Sequence, residues 1–332
     1  MAHVFILSSS SPESKHGRLE ISYMLDSVER DRFGVHTVVD TPDQADLILF
    51  VEREKAAGPR FEQVRKHPLV RQHREKCYVV NPRYKGVPVL PGIYASIRKS
   101  WYDPSRIRSS HYLEVREDEH FQDKGSIPDD AYLYSFRGKL GTAPMRKNLS
   151  KLSHPRGTIE DTTDEGVTSM MKTTAREKKL YSYKEEYARL IENSKFVLCP
   201  RGAGPSTLRL FETLLMGRVP VIISDEWVPP EGPDWEAFSI RVEESRISQI
   251  PALLEKQEEY ADEMGRRARR AWDTWFAPSV TFHRIVEWCL AIRHTKASFK
   301  SVCRRYRSYA SILTPVRKAE ALIEKKRLPF MN

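Results

Sequence analysis

The stretch SKFVLCPRGAGPSTLRLFETLLMGRVPVIISDEWVPPEGPDW, residues Ser194–Trp235, decides the fold. Phe196–Cys199 is a short apolar run of strand character. Pro200–Pro205 then sets Arg201, Gly202 and Gly204 between two prolines. The apolar spacing that follows predicts a helix from Ser206 to Met216, stopped by Gly217, and Val219–Ile223 reads as the next buried strand. Two strands joined through one helix lie parallel, as a βαβ unit.

The helix has two faces. Leu208, Phe211 and Leu215, flanked by Leu210 and Leu214, form a stripe that must meet a sheet. Ser206, Arg209, Glu212 and Thr213 line the other face. Gly202 and Gly204 allow backbone amides to approach a ligand, and the helix N-terminus adds partial positive charge. Arg201 and Arg209 are planar, permanently charged forks suited to phosphate oxygens. Glu212 lies roughly 9 Å along the axis from Ser206, where a carboxylate could take ribose hydroxyls. The same spacing also fits a plain Arg209–Glu212 surface ion pair. The loop is neither G-K-[ST] nor G-x-G-x-x-G, since a third glycine is missing.

The run Cys199, Pro200, Arg201, Gly202, Gly204, then Arg209, Glu212, Gly217, Pro220 and Val221, resembles the core of the exostosin family of glycosyltransferases. The resemblance continues through Trp227, Pro229, Asp234-Trp235 and Phe238-Ser239-Ile240, and is close over about Tyr187–Glu255. Leu90–Tyr94 is similar to a segment of bacterial exostosin-like proteins. Phe136, Gly138 and Arg146 fit a family element near the donor; Arg146 could equally be a helix-surface charge.

The chain has 332 residues with 40% hydrophobic and 30% charged residues, enough for two domains with cores. Cys77, Cys199, Cys289 and Cys303 show no framework spacing, which suits a reducing compartment. The apolar runs Leu47–Val51 and Val219–Ile223 are too short to span a bilayer, and no signal peptide is evident. A cytoplasmic location is expected, at most peripheral to a membrane. Net charge is +10, but it is concentrated from Lys296 onward. A general nucleic-acid-binding surface is therefore not expected, and no nucleic-acid motif is present.

Strands are predicted at His3–Ser8, Val35–Val39, Asp46–Val51 and Cys77–Asn81, with helices at Lys15–Glu29 and Phe61–Arg74. This alternation implies a parallel sheet covered on both faces, with ligands outside the carboxyl ends of its strands. Ala131–Phe136 is a further strand, followed by a short helix around Met145–Leu152. Ser153–Thr174 reads as loop; its acidic residues Glu160, Asp161, Asp164 and Glu165 lack metal-loop spacing. A long helical stretch, Ile250–His294, carries Trp272, Trp275 and Trp288 as expected core residues. No internal repeat is visible. The tail from Ala297 to Leu328 mixes aromatic and basic residues, as a helix bracing the first domain or touching an anionic membrane would.

The resemblance implies an α/β, GT-B-like fold: two Rossmann-like domains facing a cleft, with a C-terminal helical tail. The expected division is residues 1–140 for the acceptor domain, 141–295 for the nucleotide-sugar domain and 296–332 for the basic tail. It implies a nucleotide-sugar donor, UDP-linked, and a glycan or glycolipid acceptor, with no metal or other cofactor. Arg146, Arg201, Gly202, Gly204, Ser206, Arg209 and Glu212 would bind the donor. Many retaining enzymes of this architecture carry a second acidic residue eight positions before the ribose-binding glutamate. Gly204 stands there, so inversion is expected, with a base from the first domain. Glu52 is the first candidate, His16 the second and Glu13 the third. A catalytically silent glycan-binding relative is the alternative reading, and a nucleic-acid-binding protein a more remote one.

Overall fold

The computed structural model describes residues 1–9, 15–52, 64–84, 86–88, 90–163 and 174–295, without the side chains of 15–18, 20 and 174–177. The expected tail helix, Glu13, Asp164 and Glu165 lie outside these residues, as does the side chain of His16, which opens the first helix.

Two parallel sheets form the scaffold. The first contains β1 (His3–Leu7), β2 (Thr37–Val38), β3 (Leu47–Val51), β4 (Cys77–Asn81), β5 (Gly92–Tyr94) and β6 (Ile107–Ser109), in the order β2-β1-β3-β4-β5-β6. The second contains β7 (Tyr132–Arg137), β8 (Gly157–Glu160), β9 (Ser194–Pro200), β10 (Val219–Ile223) and β11 (Ile240–Val242), in the order β8-β7-β9-β10-β11. All pairings are parallel, as in Val4 opposite Leu47 and Val221 opposite Leu198. Every residue of β3 and β10 is buried, because parallel sheets are covered on both faces.

Among the described residues the helices with defined bounds are α1 (Lys15–Glu29), α2 (Pro68–Gln72), α3 (Thr174–Glu192), α4 (Leu208–Leu215), α5 (Ile250–Glu255), α6 (Ala261–Trp275) and α7 (Pro278–His294), and residues 64–66 are also helical. The long helical stretch expected at Ile250–His294 is thus three helices, with Pro278 opening the last. Trp272 and Trp288 are core residues as expected, and Trp275 packs at the core margin. Residues Pro144–Lys151 wind as a 3-10 segment.

The expected division at residue 140 falls inside the second half. Tyr132–Arg137 hydrogen-bonds to β8 and β9, so the change of sheet lies between Ser109 and Tyr132. The expected loop Ser153–Thr174 also contains a strand, β8, hidden by its short and polar sequence GTIE. Helix α7, assigned by sequence to the second half, crosses to pack on α1, β5 and β6 of the first. Two contacts pin it there: Arg32 N–H donates to the Ser279 carbonyl at 3.0 Å, and His111 Nε2 lies 3.2 Å from Thr281 Oγ1. His111 is wholly enclosed, and burial pushes its imidazole down to about 3, so it is a neutral bridge. One core runs through both halves, from Val4 and Leu47 to Phe211, Trp272 and Phe282.

The carboxyl ends of the two sheets face each other. Segments following β4 and β5 meet the loop following β9: the Ser206 amide donates to Ser96 Oγ at 3.2 Å, and Ser96 Oγ donates to the Tyr84 carbonyl at 3.0 Å. Further along, Tyr102 Oη donates to Glu231 Oε1 at 3.0 Å and Arg108 Nε lies 3.0 Å from Glu231 Oε2. Among the described residues no helix is long and apolar enough to cross a membrane.

Arg218, between α4 and β10, is 1% exposed. Its Nε donates to the Glu192 carbonyl at 3.0 Å and its Nη1 to those of Gly125, Met216 and Gly217 at 3.1–3.3 Å. This guanidinium gathers chain ends that no strand could pair. Replacing it strands buried carbonyls, at roughly 1–3 kcal/mol each. Arg218→Met is therefore expected to lower the melting temperature clearly, whereas Arg246→Met, at an exposed i,i+3 pair, leaves it unchanged; differential scanning calorimetry compares the two.

Candidate active site

In parallel sheets, ligands bind outside the carboxyl ends of strands where the strand order reverses. In the second sheet that point lies between β7 and β9. Phe136, Arg137 and Gly138 end β7, Pro200 and Arg201 end β9, and α4 supplies Arg209 and Glu212 from its polar side. The sequence places the start of α4 slightly too early: it begins at Leu208, with Thr207 at the N-cap position making no side-chain cap bond, rather than at Ser206.

Arg209 is the centre of the site. It is 8% exposed, yet on the face of α4 away from the leucine stripe. Its guanidinium carbon lies 4.4 Å from the Phe136 ring centroid and 5.4 Å from that of Tyr187. One nitrogen donates to the Arg137 carbonyl, while Nε and Nη1 are buried and, among the described residues, have no hydrogen-bond partner of good geometry. A Cβ at Gly138 would fall 2.9 Å from Arg209 Nη2, so the guanidinium occupies space that only glycine leaves.

Glu212 does not pair with Arg209. Its Oε2 accepts from Tyr187 Oη at 2.7 Å, which fixes the carboxylate beside the guanidinium. Burial raises the Glu212 pKa, opposed by Tyr187 and by Arg209. Tyr187 was not singled out by sequence as a site residue. It sits on α3, and the only signal was that the resembling stretch starts there.

The other expected donor residues divide by role. Arg146, 7% exposed, is held by three carbonyls: Nε donates to Arg201 at 2.8 Å, Nη2 to Pro200 at 2.9 Å and Nη1 to Lys139 at 3.2 Å. It is no surface charge. Burial, and then the neighbouring cation Arg209, push its pKa down to about 9. Its guanidinium carbon lies 5.5 Å from the centroid of the same Phe136 ring that Arg209 approaches. Arg201 departs from the expected phosphate role: its fork is filled by Glu244, with Nε to Oε1 at 2.6 Å and Nη2 to Oε2 at 2.9 Å. A cavity of about 460 Å³ opens beside Glu244, between Asn148–Ser153 and Glu244–Pro251. Gly202 sits against Arg146 and Thr142, each 3.4 Å from where a Cβ would stand.

Gly204 and Ser206 serve the contact between the halves. A Cβ at Gly204 would fall 1.4 Å from the Tyr84 carbonyl oxygen, so no side chain fits, and an acidic one least of all. The Ser206 amide is taken by Ser96.

The first sheet reverses order between β1 and β3. Glu52 immediately follows β3 there and is 1% exposed. Its Oε1 accepts from the Ser9 amide and, at 3.5 Å, from Ser8 Oγ in the loop after β1. Of the acidic run near residue 160, Glu160 pairs with Arg137 and Asp161 accepts from the amides of Leu140 and Thr163 at 3.1 and 3.0 Å. These two carboxylates are engaged in holding the chain.

Two parallel-sheet halves of like strand order, facing each other across their carboxyl ends, define an α/β protein of GT-B-like architecture. Residues 106–257 match the Exostosin GT47 domain. It is 29% identical over 184 residues to an Exostosin-1 homolog of Caenorhabditis elegans, covering 50% of this chain and 46% of that protein. It is 27% identical over 157 residues to a probable glucuronosyltransferase of Oryza sativa subsp. japonica, covering 46% and 34%. The chain thus spans about half or less of the length of these relatives. A glycosyltransferase structure from Rickettsia africae is similar at 10% identity and a TM-score of 0.45, covering 89% of this chain and 99% of that one.

The closeness of Gly204 to Tyr84 is testable. Gly204→Ala forces two backbone segments apart and is expected to lower the melting temperature, while Gly141→Ala, with open space around the new carbon, melts with the wild type. Equal melting of all three proteins would contradict the packing described.

Proposed function

We propose that this chain transfers a sugar from a nucleotide-sugar donor, UDP-linked, to a hydroxyl of a glycan or glycolipid, with inversion and without a catalytic metal. The observation that carries the proposal is the Arg209 guanidinium, buried at the reversal point of the second sheet with two nitrogens unpartnered. Such a group costs stability until an anion meets it. Arg146 beside it increases the demand for negative charge. A diphosphate supplies that charge, and Glu212, fixed by Tyr187, would then accept from the ribose hydroxyls.

In the reaction, a base takes the proton of the acceptor hydroxyl as its oxygen bonds to the anomeric carbon. The bond from that carbon to the phosphate oxygen breaks, and the electron pair leaves with the nucleoside diphosphate. Arg209 stabilises the charge developing on the leaving group, the task a divalent cation performs in other transferases. Arg146 is a positioning residue: it ties the Pro200–Arg201 turn to Lys139 and so sets the floor of the site. Gly204 leaves no room for a second carboxylate below the sugar, which supports inversion.

Glu52 is proposed as the base because it lies at the matching reversal point of the first sheet. Its carboxylate already receives hydrogen bonds from Ser8 and Ser9, so it also holds the loop. Glu52→Gln keeps an acceptor for that loop. It is expected to lower kcat by about 100-fold or more with donor affinity unchanged, since base catalysis contributes roughly 10²–10⁴-fold. A fall in melting temperature with kcat unaltered would leave Glu52 as an anchor alone.

Donor binding is tested at Glu212. Loss of charge-assisted bonds to ribose costs roughly 1.5–3 kcal/mol, so Glu212→Ala should weaken UDP by about 10–100-fold. Glu212→Gln, which retains an acceptor, loses less. The alanine variant also deprives the enclosed Tyr187 hydroxyl of its partner and is expected to melt earlier, so Tyr187→Phe is the control for that effect. Isothermal titration with UDP, with EDTA present throughout, reads all three; affinities equal within about twofold, a difference of only ~0.4 kcal/mol, would remove Glu212 from the site.

A further inference from the structure

We infer that His36, His283 and Glu287 form a binding site for a divalent transition cation, zinc foremost, that clamps α7 to the first half of the chain. Each offers one ligand atom, and the three atoms lie within 4.8 Å of one another. The donor set of two imidazoles and a carboxylate is one that zinc accepts.

The local sequence explains the convergence. His283 and Glu287 are one helical turn apart on α7 and therefore share a face. His36 comes from the segment leading into β2, where the Thr37 amide donates to the Ala2 carbonyl at 3.1 Å and fixes the approach. His36 Nε2 stands 3.0 Å from Glu287 Oε1, close to the roughly 3.3 Å edge of a tetrahedron with 2.0–2.1 Å bonds. The rings of His36 and His283 are 5.0 Å apart, centroid to centroid.

Burial and bonding separate this cluster from an ordinary surface pair. His36 is 5% exposed; its Nε2 faces Glu287, and among the described residues its Nδ1 has no hydrogen-bond partner. His283 Nδ1 is likewise buried without a partner. An enclosed imidazole whose one polar contact is Glu287 is costly, and a cation bridging the ring to that carboxylate would use the nitrogen lone pair. Phe33 stacks on the His283 ring at 4.0 Å, and Arg284 lies 5.4 Å from the Phe33 ring centroid, so the ligand ring is held in place.

The position gives the site its purpose. His36 precedes a strand of the first sheet, so it lies at the amino ends, away from the cleft formed at the carboxyl ends. The cation would not meet the donor. It would fasten α7, the helix that returns from the second half, at a point beyond its contacts through Arg32 and His111. The effect is therefore on stability, independent of the transfer chemistry.

The full chain, stripped with EDTA and freed of the chelator by gel filtration, is titrated with Zn²⁺ and separately with Mg²⁺. One equivalent of Zn²⁺ is expected to bind and raise the melting temperature, with Mg²⁺ giving neither effect. Co²⁺ at the same site should give visible d–d absorption of a nitrogen- and oxygen-ligated ion. Because His36 is buried and its loss could unfold the chain, the deciding variants are His283→Gln and Glu287→Gln at the more open positions. Each should weaken Zn²⁺ by more than the roughly 10–100-fold seen when only an outer partner is lost, while UDP affinity stays that of the wild type. No stoichiometric Zn²⁺ binding, or binding unchanged in both variants, would overturn the assignment and leave a His36–Glu287 ion pair.

Discussion

The site rests on a buried cation that its own fold does not fully satisfy. Arg209 is enclosed between two aromatic rings and one carbonyl, with Nε and Nη1 unmatched. Much of the surrounding chain is arranged to keep it there. Gly138 leaves the space, Phe136 and Tyr187 supply ring faces, and Arg146 locks the turn after β9 by three bonds to carbonyls. Glu212 is drawn to Tyr187 instead of neutralising its neighbour. A fold that wanted only stability would have closed the Arg209–Glu212 pair across one helical turn.

The architecture explains where this tension is placed. Both sheets begin with the same order, the second strand outside the first and the third on its other side. Each therefore has one reversal point, and these points carry Glu52 in the first half and Arg209 in the second. The halves meet through those same ends, with Gly204 pressed on the Tyr84 carbonyl and Ser96 bridging Tyr84 to Ser206. Helix α7 then fastens the halves from behind. The contact geometry at the cleft and the returning helix are parts of one constraint, since both fix how the two reversal points stand to each other.

Much of this was legible in the chain because parallel strands are written plainly. LILFV and VPVII are apolar on both faces, and the stripe Leu208, Phe211, Leu215 could only meet a sheet. β8 and β6 were not legible: GTIE and IRS are too short and polar to show a period. The repeat of strand order left no trace in the sequence, because topology repeats hydrophobic pattern and not residue identity. Arg209, Glu212 and the element Phe136-Gly138-Arg146 could be picked out as candidates, and the structure brings them together. What spacing could not give was partner choice. Arg201 and Arg209 look alike in sequence, yet Glu244, 43 positions away, fills one fork, while the other meets, among the described residues, only the Arg137 carbonyl and no carboxylate. The roles of Gly204 and Tyr187 likewise depend on residues from other elements, Tyr84 and Glu212.

The central claim is that the empty side of Arg209 receives the diphosphate, and the difference between UDP and uridine isolates it. Both ligands share base and ribose, so their affinity ratio reports the phosphates alone. Titration of each into wild type and Arg209→Met reads that ratio twice. The account predicts that uridine binds both proteins alike while UDP loses about 100-fold in the variant, consistent with charge-assisted hydrogen bonds worth roughly 1.5–3 kcal/mol each. A UDP-to-uridine ratio that is the same in both proteins would contradict it.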